Sequence, residues 1–311
     1  MNERIIEIKK EIGKAITGKD QVVEKVLVAI LAGGHILLED IPGVGKTTLA
    51  LACTKSMGLD FKRVQFTPDV VPSDITGFTI YDKNKGQFDY NPGAVMCNFF
   101  LADEINRTSS KTQSALLEVM QEGKVTVDGQ THVVPKPFVV MATQNPIGTI
   151  GTQMLPEAQL DRFMIQLSMG YPGFDEQVEI LLNRDREDPL NTIHQVIDAE
   201  GLETIIGEVK AIFVDKKIYE YITALTEATR ESEYIKLGVS PRGALALAAI
   251  VKAEAYLQGR DYVVPEDVDK LFVDVCRHRL ILHPKAQLAE KSAVTLLKEI
   301  LSCTAAPKLN R

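Results

Sequence analysis

Residues 36–50, ILLEDIPGVGKTTLA, pass from an apolar run through a proline and two glycines into a stretch of helical character that ends near Gly58. This order reads as strand, loop and helix. The loop places Gly43, Gly45, Lys46 and Thr47 where backbone N–H groups and a helix N-terminus can wrap phosphate, with Pro42, Val44 and Thr48 completing it. Glycine permits close backbone approach, Lys46 has the reach for β- and γ-phosphates, and the Thr47 hydroxyl suits a Mg2+ ligand. The usual first glycine of GxxxxGK[ST] is replaced by Asp40, so the GKT core alone also fits a plain glycine turn before an ordinary helix. Context has to decide between them.

Outward from this loop, apolar segments recur at 61–66, 95–101, 138–143 and 163–167, with helical stretches such as SSKTQSALLEVMQEG between some of them. That alternation predicts a parallel sheet between helices, an α/β fold. Upstream, Ile5, Ile8 and Ile12 and then Val22, Val26 and Ile30 keep helical spacing, with Thr17-Gly18 separating two helices. GFTIYDKNKGQFDY predicts a hairpin turning near 84–86, and KVTVDGQTHVV one turning at Asp128-Gly129. Beyond about residue 171 the pattern becomes helical, so the expected division is a core of 1–184 followed by a smaller all-helical domain of 185–311.

The segment NFFLADE ends in Asp103-Glu104, an acidic pair at the C-terminal end of a buried strand, where open α/β sheets bind ligands. Asp103 would hold Mg2+ through water, and Glu104 would orient and polarise an attacking water. An isolated DE pair is more often a solvated strand end.

The order PGVGKT, FFLADEINR, MATQNP, LDRF and VSPR, with the two hairpins in place, resembles the AAA+ ATPases, and specifically the MoxR family of the helix-2-insert clade. The resemblance spans nearly the whole chain. It implies an αβα core with a five-stranded parallel sheet, a helical lid, and ATP and Mg2+ as cofactors, with Walker A at the glycine loop and Walker B at the acidic pair. It also implies that Asn145 is the sensor-1 amide between the γ-phosphate and the attacking water, that Arg162 is an arginine finger reaching a neighbouring subunit's nucleotide, and that Arg242 is the lid's sensor 2. Arg107 is the second candidate for a subunit-interface arginine. Ile16 and Gly18 resemble the stretch that packs the adenine base. Simpler roles stay open: Arg162 could pair with Asp161, Arg242 could be a first-turn surface residue, and Ile16-Gly18 could be a turn between helices.

The resemblance further implies a hexameric ring and a protein client or adaptor, among them partners bearing a von Willebrand factor A domain. Two other classes remain, a nucleic-acid motor of the same clade and a non-hydrolysing scaffold. With 42 acidic against 35 basic residues, the net charge of −7 argues against a broad grip on nucleic acid. Only Lys83, Lys85 and Lys124 mark the hairpins, offset by Asp82, Asp89 and Asp128. In the first hairpin, Phe78, Ile80, Tyr81, Phe88 and Tyr90 are expected to form a packed face rather than a partner-gripping one.

Cys53, Cys97, Cys276 and Cys303 make no CxxC pair and read as reduced, buried thiols. The five histidines lack metal-ligand spacing, so no metal beyond Mg2+ is expected. Arg277, His278, Arg279 and His283 form the densest basic patch and read as a solvated face at a helix C-terminus. The N-terminus has no signal-peptide core and no run reaches the ~18 apolar residues of a membrane span, which points to a cytoplasmic protein.

Overall fold

A computed structural model describes residues 3–145, 155–186 and 188–308. The chain opens with α1 (Glu3–Gly13) and α2 (Asp20–Leu31), separated at Gly18 as the sequence predicts. It then runs through β1 (Ile36–Glu39), α3 (Lys46–Ser56), β2 (Phe61–Gln65) and α4 (Pro72–Thr76). The hairpin β3 (Gly77–Asp82) and β4 (Gln87–Pro92) precedes β5 (Phe99–Asp103) and α5 (Ser110–Glu122). The hairpin β6 (Lys124–Val127) and β7 (Gln130–Val133) precedes β8 (Val139–Gln144), α6 (Glu157–Leu160), β9 (Ile165–Leu167) and α7 (Phe174–Arg186).

Five strands form one sheet in the order β2-β5-β8-β1-β9, and every adjacent pair is parallel. Parallel strands are covered on both faces, and the two-residue period shows it. Ile36, Leu38, Phe99, Leu101, Val139 and Met141 join the apolar cluster on the face of α1–α3. Leu37, Phe100, Ala102, Val140 and Ala142 join the opposite cluster with Leu116 and Leu117 of α5. Each fully buried Leu, Ile or Phe contributes roughly 1.5–3 kcal/mol, so both layers are strongly held.

Two local predictions hold in detail. Asp128 and Gly129 both have positive φ, 48° and 79°, as a two-residue turn between antiparallel strands requires. Ser109 caps α5 by accepting from Thr112 N at 3.3 Å, and Gly123 ends it at φ 63°. The strand expected at 95–101 starts later, at Phe99. Before it, Ala94 N and Val95 N bond to the carbonyls of Asp74 and Ile75, which diverts the chain from the sheet.

The remaining elements are α8 (Ala199–Lys210), α9 (Lys216–Glu231), β10 (Ile235–Leu237), α10 (Pro241–Leu257), α11 (Pro265–Cys276), β11 (Ile281–Leu282), α12 (Pro284–Leu288) and α13 (Ala293–Cys303). Among the described residues the expected all-helical character is broken by the short antiparallel pair β10–β11 and by an isolated bridge between Phe213 and Tyr262. Two or three residues are too few to leave a period-2 signal. The helices pack onto α2, with Val26, Leu27 and Ile30 sharing one cluster with Leu247, Ile250, Leu271 and Phe272. Ion pairs flank this contact: Lys270 bridges Glu24 and Glu254 at 2.6 Å each.

Candidate active site

The glycine loop lies at the C-terminal end of β1, as the strand–loop–helix reading predicts. Gly43 and Gly45 take φ of 84° and 94°, a region that side chains disfavour, and Gly45 caps α3. Lys46 is buried, and its Nζ donates to the carbonyls of Asp40 at 2.8 Å and Ile41 at 3.1 Å. Burial lowers the pKa of its ammonium, against the opposing pull of Asp40, Asp103 and Glu104. The parallel register through β8 sets Asp103 level with the end of β1, so the Asp-Glu pair lies beside the loop.

Asp103 ends β5 with its carboxylate held between two donors. Thr143 Oγ1 donates to Oδ1 at 2.6 Å, and Arg63 Nη2 to Oδ2 at 2.7 Å. Glu104 then turns sharply, with φ 57° and ψ 48°, a left-handed conformation rare for a glutamate. Its amide donates to Thr143 Oγ1 at 2.8 Å, so one threonine fixes both neighbours. Strain of this kind clusters at functional sites, where it aims a side chain. The Glu104 carboxylate accepts from Asn145 Nδ2 at 3.2 Å and Arg107 Nη1 at 2.7 Å. Lys46, Asp103, Glu104 and Asn145 therefore meet at one end of the sheet.

Beside the loop is a cavity of about 410 Å³, lined in part by Ile16, Gly43, Val44, Gly45, Thr48 and Tyr171. Ile16, 7% exposed, is part of this lining. Gly18 is not among the lining residues. It has φ 71°, and a Cβ there would meet the Glu176 carboxyl at 2.0 Å, so it serves a turn and a close approach.

Arg162 and Arg242 line no part of this cavity. Arg162 Nη1 donates to Leu117 O on α5 at 2.5 Å, while its Nε is buried with no partner. Arg242 Nη2 reaches Gln121 Oε1 at 3.4 Å, near the end of the same helix. Ser240 Oγ joins the lid to Asp161 Oδ2 at 2.8 Å. The two arginines gather along α5, and Arg162 precedes β9, whose Ile165 pairs with Ile36 at the start of β1, the end of that strand away from the loop.

The family model described as "ATPase family associated with various cellular activities (AAA)" matches residues 35–165, and that described as "AAA lid domain" matches 227–300. The chain is 48% identical over 298 residues to the uncharacterized protein YeaC of Bacillus subtilis, covering 96% of this chain and 93% of that protein. It is 41% identical to Chaperone MoxR1 of Mycobacterium tuberculosis, covering 96% of this chain and 81% of that one. The chain belongs to the MoxR family of AAA ATPases. A crystal structure from Cytophaga hutchinsonii, described as a candidate ATPase, superposes with a TM-score of 0.91 at 38% identity, covering 98% of this chain and 95% of that one. The β1–β9 unit is thus an AAA core and the later helices an AAA lid.

Several features of this MoxR chain correct the sequence reading. The basic patch is no solvated face. His278 and Arg279 are buried, and Arg279 donates from Nε to Asp161 Oδ1 at 2.8 Å and from Nη2 to Phe163 O at 2.6 Å. His278 Nε2 lies 3.0 Å from the same Phe163 carbonyl. These residues are the joint between lid and core, because the backbone leading into β9 needs donors there. Asp161 is thereby occupied by Arg279 rather than Arg162. His283 is exposed and caps the start of α12 by accepting from Lys285 N at 3.3 Å. Cys53, Cys97 and Cys276 are buried, with thiols pushed up to about 12 by desolvation, but Cys303 is exposed. In the first hairpin Phe78, Ile80, Tyr81 and Phe88 are 44–70% exposed, against the expected packed face; the Tyr81 and Phe88 rings meet each other at 5.2 Å, and Tyr90 stacks on His132 at 3.7 Å.

Asp40 and Arg63 escaped sequence reasoning. The Asp40 carboxylate accepts from Met169 N, from Gly170 N at 3.2 Å and from Ser168 Oγ at 3.2 Å. The residue that spoils the glycine pattern thus ties the loop to the chain leaving β9. Its one visible signal was its own incongruity, an acid after a buried strand where glycine is usual.

Proposed function

We propose that this MoxR protein hydrolyses Mg-ATP in a ring and uses the cycle to remodel partner proteins. The observation that carries this reading is the separation of Lys46, Asp103, Glu104 and Asn145 at one end of the sheet from Arg162 and Arg242 along α5. Arg63 and Arg107 are engaged by Asp103 and Glu104, so a site needing further cationic help at the γ-phosphate would take it from the next subunit. In a ring, ATP lies between copies: the glycine loop and Lys46 hold its phosphates, and Ile16 and the α7 side of the cavity hold its base. Glu104 orients a water for attack on the γ-phosphorus and takes up its proton. The bond to the β-phosphate oxygen breaks, giving ADP and phosphate. Asn145 bridges water and γ-phosphate, while the neighbour's Arg162 and Arg242 balance the shifting charge.

The Thr47 hydroxyl and Asp103 carboxylate are hard oxygen donors beside Lys46, a set that fits Mg2+. When bound, the ion would neutralise charge on the transferring phosphates. We also take 1–184 as the core and 185–311 as the lid, a boundary in the last turn of α7, after the sheet has ended with β9 and before α8–α13. A protein client, one class being von Willebrand factor A domains, fits the exposed aromatic hairpin better than nucleic acid does. Of the three hairpin lysines, Lys85 is paired with Asp89 at 2.6 Å and Lys124 with Glu122 at 3.7 Å, so two of the three offer no unbalanced charge to phosphates. Among the described residues no helix is long and apolar enough to cross a membrane.

The test is steady-state ATP turnover against protein concentration for wild type, Glu104→Gln, Arg162→Ala and an equimolar mixture of the two variants. Specific activity that rises with concentration, two inactive variants and a mixture that regains turnover are the expected results. Concentration-independent turnover with an active Arg162→Ala would end the shared-site reading and turn attention to Arg107.

A further inference from the structure

Asp103 is the acid proposed to face the metal, yet its charge is already answered within the chain. Arg63 donates to Oδ2 through Nε at 3.2 Å and through Nη2 at 2.7 Å. The parallel register sets Gln65 of β2 opposite Asp103 of β5, so the guanidinium reaches forward along its own strand, and Nη2 also donates to Gln65 Oε1 at 3.1 Å. The Asp103 side chain is 12% exposed and that of Arg63 44%. Glu104 is matched in the same way by Arg107. Around the loop, Asp40, Asp103 and Glu104 thus stand against Lys46, Arg63 and Arg107, three charges of each sign. A site balanced in this way has little attraction for a bare divalent cation, and it does not repel a polyanionic nucleotide.

We propose that Arg63 is a positioning residue that keeps the Asp103 carboxylate charge-balanced until nucleotide arrives, so that Mg2+ enters with ATP rather than ahead of it. This rests on the Mg-ATP reading above. A long, half-exposed side chain suits the role, because an ion pair open to water is weak and yields readily. Thr143 keeps its hold on Oδ1, so the carboxylate stays aimed when the arginine lets go.

The test uses the intact protein and two binding measurements with opposite expected signs. Mn2+ binding to nucleotide-free protein is followed by the paramagnetic resonance signal of the free ion. Binding of a fluorescent ATP analogue is followed in excess chelator. Removing one positive charge a side chain's length from a divalent ion, in a water-like dielectric, should tighten Mn2+ binding about fivefold to tenfold in Arg63→Gln and Arg63→Met. Metal-free nucleotide binding should weaken in both by at least a similar factor, and Arg63→Lys should stay near wild type in both assays. Both shifts should shrink in high salt. Loss of both affinities together, or no change in either, would overturn the proposal and leave Arg63 as a brace between strands. Failure of the wild type to bind nucleotide even with Mg2+ present would instead sink the ATP reading itself.

Discussion

Two aspartate–arginine pairs in this molecule share their chemistry and differ in burial. Arg279 and Asp161 meet at 2.8 Å where lid joins core, with the arginine side chain 1% exposed. Arg63 and Asp103 meet at 2.7 Å at the open end of the sheet, with the arginine 44% exposed. The buried guanidinium also serves the carbonyls of Asp161, Phe163 and Met164, so its loss would strand several acceptors and one acid away from water. The exposed guanidinium has solvent as a ready alternative. Position therefore decides role: the first pair holds two units in one arrangement, and the second can be exchanged for another cation.

The largest contrast should come from cutting each pair at its arginine. Arg279→Ala leaves Asp161 part-buried and unpaired, and breaking a buried pair costs about 3–5 kcal/mol. Denaturant unfolding should show that loss as a lower midpoint. Separate transitions for different probes would indicate a lid that now unfolds alone. A loss below ~1 kcal/mol would place the two pairs in one class and remove the distinction.

A smaller effect concerns pH at the same joint. Burial lowers the pKa of His278, with Arg279 and Arg277 adding to the effect, well below the usual 6.5. Burial also lowers that of His35, whose Nδ1 accepts from Val140 N at 3.1 Å and whose Nε2 lies 3.0 Å from Met120 O. Each binds a proton in the unfolded chain before it does in the folded one. Stability is therefore full above pH 6.5 and falls as pH drops below it, by at most about 1.4 kcal/mol per pH unit for each proton. Unfolding free energies measured from pH 7.5 to 5.5 should decline, and His278→Gln should flatten the slope. A curve that is level in wild type would show these rings to be solvated.

Sequence carried the core further than the joint for a physical reason. Strand–loop–helix order, two-face apolar alternation and the Asp128-Gly129 turn are local signals, and each acts over a few residues. The Arg279 contacts with residues 161–164 span 115 to 118 residues, and those of Asp40 to Met169 and Gly170 span 129 and 130. A charged triplet after a helix looks solvated until the chain that covers it is known. The hairpin failed in the opposite sense. The turn near 84–86 gave Phe78, Ile80, Tyr81 and Phe88 a hairpin, but a turn does not say whether anything packs on either side of it. The left-handed turn at Glu104 was also illegible, since nothing in DEINR announces a positive φ.

The smallest expected effect is the most discriminating. Arg63→Gln should cost no more than ~1 kcal/mol, because the half-exposed guanidinium trades an ion pair for hydration and regains side-chain entropy, while the buried Asp103 carboxylate keeps its bond from Thr143. A double-mutant cycle with Asp103→Asn isolates the pair itself from the loss of either residue. Its coupling energy in unfolding should lie at or below ~1 kcal/mol and fall with added salt, whereas the Arg279–Asp161 cycle should give a larger, salt-insensitive value. If the Arg63–Asp103 coupling proved as large as the buried one, the guanidinium could not yield to an incoming ion at tolerable cost. Arg63 would then belong to the scaffold, and the order in which metal and nucleotide enter would have to be set elsewhere, with Arg107 on Glu104 the next place to look.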